Sequence, residues 1–99
     1  MIEIGQYQES IRAICKKLGV QRLDIFGSAN GPGFGPDSDI DVVALFDREQ
    51  GHMFSRYFDL KERLERIFHR SVDVVLEDSI GNPYFREAIQ HNRICVYES

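Results

Sequence analysis

Tyr7, Ile11, Ile14, Cys15 and Leu18 recur at spacings of three and four, which sets them along one face of an amphipathic helix from Tyr7 to Leu18. Gly19 stands where that helix should stop. Val20 to Phe26 reads as a strand with Leu23 and Ile25 on one face, ending at Gly27-Ser28. Ala29 to Ser38 carries three glycines and two prolines and is expected to be a loop. Ile40 to Phe46 runs through Val42, Val43, Ala44 and Leu45 without a polar break, the pattern of a central strand covered on both faces. After a polar stretch from Asp47 to Ser55, the residues Tyr57, Leu60, Leu64, Ile67 and Phe68 mark a second amphipathic helix with Arg, Lys and Glu between them. Ser71 to Leu76 reads as a third strand. Asn82-Pro83 is a helix start, with Asn as N-cap and Pro in the first turn, so Tyr84 to Gln90 is expected to be helical. Ile94 to Tyr97 adds a final strand. The order helix, strand, loop, strand, helix, strand, helix, with a buried central strand, points to a layered α/β or α+β fold.

A length of 99 residues fits one domain, 1–99, and leaves no room for a second. Apolar and aromatic fractions of 42% and 11% suit a folded globular chain. No segment approaches the roughly 20 apolar residues of a membrane span. Met1 opens a polar segment without a basic region followed by an apolar one, so no secretory signal is expected and the cytoplasm is the expected location. A net charge of -4 argues against coating of nucleic-acid phosphates, which needs a surplus of Lys and Arg. It does not argue against a nucleotide held through a metal ion. The two cysteines, Cys15 and Cys95, lack the spacing of a zinc or redox motif and read as small buried hydrophobes.

Asp39 and Asp41 stand two apart at the mouth of the most hydrophobic strand, so the two-residue period puts both carboxylates on one face and Ile40 on the other. Like charges fixed together at the edge of a core repel and lose solvation, and a positive partner should offset that cost. Carboxylates together with substrate phosphates are the usual ligands of magnesium in phosphoryl transfer. The alternative for Asp-Ser-Asp-Ile-Asp is turn chemistry at a strand start. Upstream, Gly27 permits close approach of backbone N–H groups to a phosphate and Ser28 adds a donor, though such a pair also makes plain turns. Asp73 lies inside the apolar run Val72 to Leu76, where a carboxylate has no packing reason to sit, so it is a candidate to converge with the other acids. Its alternative is an ion pair with Arg66 or Arg70. His52, His69 and His91 fall into no ligand spacing and read as surface or helix-end residues. Met53, Phe54, Tyr57 and Phe58 form either a partner surface or, the reading preferred here, ordinary core packing of the second helix.

The string Phe26-Gly27-Ser28, ten residues, then Asp39-Ile40-Asp41, followed by Asp73 in a valine-rich strand, resembles the minimal nucleotidyltransferases of the DNA polymerase beta superfamily. The resemblance extends from about Val20 to Tyr97, since Asn82-Pro83-Tyr84-Phe85 looks like the closing helix of that family. It implies a small mixed sheet flanked by helices, with Gly27 and Ser28 at the triphosphate, Asp39 and Asp41 on metal, and Asp73 as third carboxylate and metal ligand. It implies magnesium as cofactor, ATP as donor, and transfer of AMP to a hydroxyl by a two-metal mechanism. The chain departs from the family in one respect. Ala29 to Pro36 contains no basic residue, whereas relatives usually carry arginine soon after the Gly-Ser pair. Phe34 in that loop either stacks on a base or packs back onto the domain.

Minimal members that resemble this chain often pair with a helical HEPN-type protein, acting as antitoxin by modifying it, and that partnership is what the resemblance implies here. The competing expectation is a catalytically weak module that binds or scaffolds a partner. A nucleic-acid polymerase fragment is disfavoured by the acidic charge.

Overall fold

In the computed structural model, which describes residues 4–27, 39–90 and 93–99, the first helix, α1, runs Gln8–Leu18 after a short 3-10 turn at Ile4–Tyr7. Ile11, Ile14, Cys15 and Leu18 form its buried face, as the spacing requires. Burial pushes the Cys15 thiol up to about 12, so it serves as a small apolar side chain. Gly19 closes the helix in the left-handed conformation, φ 69°, its N–H donating to Cys15 O.

Four strands follow: β1 (Val20–Phe26), β2 (Ile40–Phe46), β3 (Val72–Leu76) and β4 (Arg93–Glu98), in the spatial order β3-β2-β1-β4. β1 is antiparallel to both its neighbours, whereas β2 and β3 are parallel. A parallel pair needs a long crossover, and helix α2 (Met53–Phe68) provides it. The result is a mixed sheet with helices packed on it, an α+β fold. Leu23, Ile25 and Val42 pack toward α1 and α2, with Leu60 and Leu64 from the latter. Val42 and Val43 are both 1% exposed, so β2 is covered on both faces. On the second face Val43 packs with Ile80, Phe26 and Val75.

Helix α2 begins within the stretch that reads as polar from Asp47 to Ser55, two residues after Gly51. Met53 and Tyr57 pack against the core. Phe54 and Phe58 do not: they are 76% and 49% exposed and meet each other edge to face at 5.0 Å, so the expectation of core packing holds for only half of that patch. An i, i+4 pair shares one helix face, and this face looks away from the sheet.

Arg56 is the other departure from simple amphipathicity. It is buried, its guanidinium 5.1 Å over the Phe46 ring, and it donates to Leu18 O at 2.7 Å, Gly19 O at 3.0 Å and Gly51 O at 2.8 Å. One planar fork thereby satisfies carbonyls left over at the end of α1 and in the turn before α2. Helix α3 (Pro83–Gln90) starts as expected, with Asn82 Oδ1 accepting from Tyr84 N at 2.9 Å. His52 and His69 cap the two ends of α2 in left-handed backbone conformation; His91 lies outside the described residues. Cys95 corrects the expectation of burial: it is exposed on β4, an edge strand with solvent on one side. No helix among the described residues is long and apolar enough to cross a membrane.

Candidate functional site

Ile40 is fully buried, and this anchors the geometry of the acids around it. Its N–H donates to Ser71 O at 3.0 Å, which sets β3 beside β2 with Ile40 opposite Val72 and Asp41 opposite Asp73. Asp39, just before β2, is exposed, and Asp41 is half-buried. Asp73 lies exposed on the edge strand. That corrects the expectation of a carboxylate inside a covered strand: the open face of the sheet admits water at this end.

The Asp41 carboxyl is raised above its ordinary value, first by burial, then by the charges of Asp73 and Asp39 and a hydrogen bond with Asp73. Burial and neighbouring like charges both favour the neutral acid, while the Lys61 ammonium is in turn held charged by its hydrogen bond to Glu65 and in part by Asp73. Ion pairs among the described residues join Arg22, Arg48, Lys61, Arg63 and Arg93 to Asp24, Glu98, Asp78, Glu65, Asp59 and Glu77.

On the far side of Asp41 stands β1, with Phe26 as its cross-strand partner. Gly27 follows with φ 79°, and a Cβ at that position would lie 3.0 Å from Asp41 Oδ2. A hydrogen in place of a side chain is therefore required twice over, by backbone conformation and by the carboxylate beside it. Ser28 and Phe34 lie outside the described residues.

These side chains are hard oxygen donors, suited to magnesium, which takes one or two carboxylates and leaves other positions to water and phosphate. Asp41 and Asp73 fit that requirement by their adjacency across the parallel strands. Among the described residues, no group of three His, Cys, Asp or Glu stands ready to hold a metal ion, while the charge of Asp39 reaches Asp41.

A second charged cluster escaped the reading of the sequence. Asp24 on β1 is fully buried, and Arg22 Nε donates to both its oxygens at 3.1 and 3.2 Å. Arg93 Nε also donates to Asp24, and Arg93 Nη2 reaches Glu77 at 2.7 Å. Phe26 is the cross-strand partner of both Asp41 and Arg93, so this network shares a sheet face with the acids, one strand away. The available signal was the one applied to Asp73: a carboxylate inside an apolar strand, here between Leu23 and Ile25. Its arginine partner on β4 is 69 residues distant and carried no signal.

A family model described as Polymerase beta, Nucleotidyltransferase matches residues 9–99. The chain belongs to this nucleotidyltransferase family. It is 36% identical over 95 residues to the Methanocaldococcus jannaschii protein named "Putative protein adenylyltransferase MJ1379", covering 95% of each chain. Among solved structures it resembles one described as a "putative minimal nucleotidyltransferase", with TM-score 0.75, 26% identity, and coverage of 94% and 95% of the two chains. It shares its fold with a chain of the complex described as tri-AMPylated Shewanella oneidensis HEPN toxin with MNT antitoxin, with TM-score 0.65, 16% identity, and coverage of 98% of this chain and 74% of that one.

Proposed function

We propose that the protein transfers AMP from ATP to a hydroxyl group of a partner protein, with Asp39, Asp41 and Asp73 as the carboxylates that hold magnesium and Gly27 and Ser28 at the triphosphate. The observation that carries this reading is the pairing of Asp41 with Asp73 across the parallel strands, where burial and then the neighbouring acids raise the Asp41 carboxyl. The missing side chain at Gly27 lets the end of β1 lie close against the Asp41 carboxylate.

In the reaction the acceptor oxygen bonds to the α-phosphorus, the bond to the bridging oxygen breaks, and pyrophosphate departs. Magnesium, when bound, supplies the positive charge that offsets developing charge on the phosphoryl oxygens. Asp73, on the exposed edge strand and open to an incoming macromolecule, orients the acceptor hydroxyl and takes its proton. Asp41, pinned between β1 and β3, holds the donor side. A protein acceptor is supported by the adenylyltransferase name of the 36% identical relative. A helical HEPN-type partner, with the chain acting as antitoxin, is supported by the fold shared with the complex containing an AMPylated HEPN toxin.

A second reading, a module that binds nucleotide or partner with little turnover, is favoured by the absence of any basic residue from Ala29 to Pro36. Both readings meet one experiment: thermal-shift titration with magnesium and a non-hydrolysable ATP analogue, comparing wild type with the Asp39→Asn, Asp41→Asn double variant. Binding at about 100 times Kd stabilises by roughly 2.7 kcal/mol, or about 10 °C or more. A magnesium-dependent shift lost in the double variant supports the nucleotide site, and label transfer from ATP to a partner then separates enzyme from binding module. No shift up to millimolar analogue refutes the nucleotide site.

A further inference from the structure

β3 carries Asp73 at the edge of the sheet, with β2 as its one strand partner among the described residues. An edge strand of five residues is free to fray or slip, and a slip of one residue would turn Asp73 from the open face to the core face. The structure holds this strand through α2. Glu65 Oε2 accepts from Val72 N at 3.0 Å and from Lys61 Nζ at 2.8 Å. Lys61 Nζ in turn donates to Val72 O at 2.8 Å. One turn earlier, Tyr57 OH donates to Val74 O at 3.1 Å. Backbone groups of the residues before and after Asp73 are thus tied to one face of α2, and both polar groups of Val72 are satisfied.

We propose that Glu65 and Lys61 are positioning residues for Asp73: their clamp on Val72 fixes the register that places Asp73 opposite Asp41. The proposal deepens the nucleotidyltransferase reading above and rests on it for the role of Asp73. An ordinary i, i+4 pair at 32% exposure for each side chain contributes little to stability. The specific element is that this pair spends its hydrogen bonds on the backbone of an edge strand, closing it to foreign strands as well. A sequence reading sees only the common Lys-Glu surface pair, because Val72 comes to it through the fold.

Four variants of the full chain test the clamp: Glu65→Leu, Glu65→Gln, Asp73→Asn, and the Glu65→Leu, Asp73→Asn pair. Gln keeps a carbonyl to accept from Val72 N–H; Leu does not. In apo protein, amide exchange across residues 72–76 should speed up about tenfold in Glu65→Leu, with β1 unchanged and Glu65→Gln close to wild type. Calorimetric affinity for magnesium with a non-hydrolysable ATP analogue should fall both in Glu65→Leu and in Asp73→Asn. The pair should bind no more weakly than Asp73→Asn alone, because Glu65 acts through Asp73. Additive losses, or unchanged exchange at 72–76, overturn the proposal. If the wild type binds no analogue while exchange in Glu65→Leu still rises, the clamp stands and the nucleotide reading falls.

Discussion

Replacing Gly27 with alanine probes the site at its tightest point. Two terms act together. At φ 79° an L side chain meets its own backbone, which costs about 1–2 kcal/mol for a left-handed non-glycine residue. The added methyl would also stand 3.0 Å from Asp41 Oδ2, closer than carbon and oxygen settle without one yielding. Asp41 can yield by rotating, but that carries its carboxylate away from Asp73. In a 99-residue chain the backbone term alone should lower apo Tm by roughly 4–15 °C. The rotation should reduce the magnesium-dependent stabilisation by the ATP analogue as well. The assay is differential scanning fluorimetry of wild type, Gly27→Ala, Asp41→Asn and the double variant. The nucleotide-dependent shift should be non-additive, since both changes act on one carboxylate. A Gly27→Ala protein with apo Tm within about 2 °C of wild type and an undiminished ligand shift would refute both the backbone argument and the close approach to Asp41.

Asp24→Ala should be the more damaging single change, because it leaves the largely buried Arg93 guanidinium with Glu77 alone; breaking a buried pair from one side costs about 3–5 kcal/mol, readable by urea unfolding, and a loss under about 1 kcal/mol would show that Arg93 re-pairs. The pH dependence of stability should carry opposite signs at two carboxylates. Asp41, raised in the fold, weakens the protein when ionised, so Asp41→Asn should be more stable than wild type at pH 7, the gap closing as pH falls through the raised folded value. Glu65, lowered first by the hydrogen bond from Lys61 and then by Val72 N–H, contributes stability above its ordinary unfolded value, lost as pH falls through the folded value. Wild type should therefore exceed Glu65→Gln at pH 7 and converge with it in acid. Urea midpoints across pH 3 to 8 check both, and the reverse order at either residue would contradict the assigned cause.

The helices and strands were legible in the sequence because each owes its existence to local periodicity. The repeat through Ile11, Ile14 and Leu18 makes one helix face whatever α1 packs against, and the unbroken Val42 to Phe46 run needs cover on both sides. Gly19 and Asn82 marked helix ends correctly, since caps are satisfied by neighbours in sequence. The spacing from Gly27 through Asp39 and Asp41 to Asp73 placed the chain in its family. Where the reading failed, the deciding partner was distant. Cys95 and Phe54 look like core residues by type, yet an edge strand and an outward helix face leave them in solvent. Arg56 looks like a surface residue, but the end of α1, 37 residues earlier, draws it inward.

By itself, then, the sequence determined the elements and the candidate acids, which follow from residue type and spacing, and the family through its resemblance to the motif from Gly27 to Asp73. Tertiary structure alone decided that Asp41 stands opposite Asp73, that Asp24 is buried between Arg22 and Arg93, and that Glu65 and Lys61 grip Val72. Apart from Arg22 and Asp24, which are two positions apart, the fold brings these groups together across 7 to 69 positions of chain, and the charge and solvation of a side chain depend on what lies within a few ångströms, whatever its distance along the sequence.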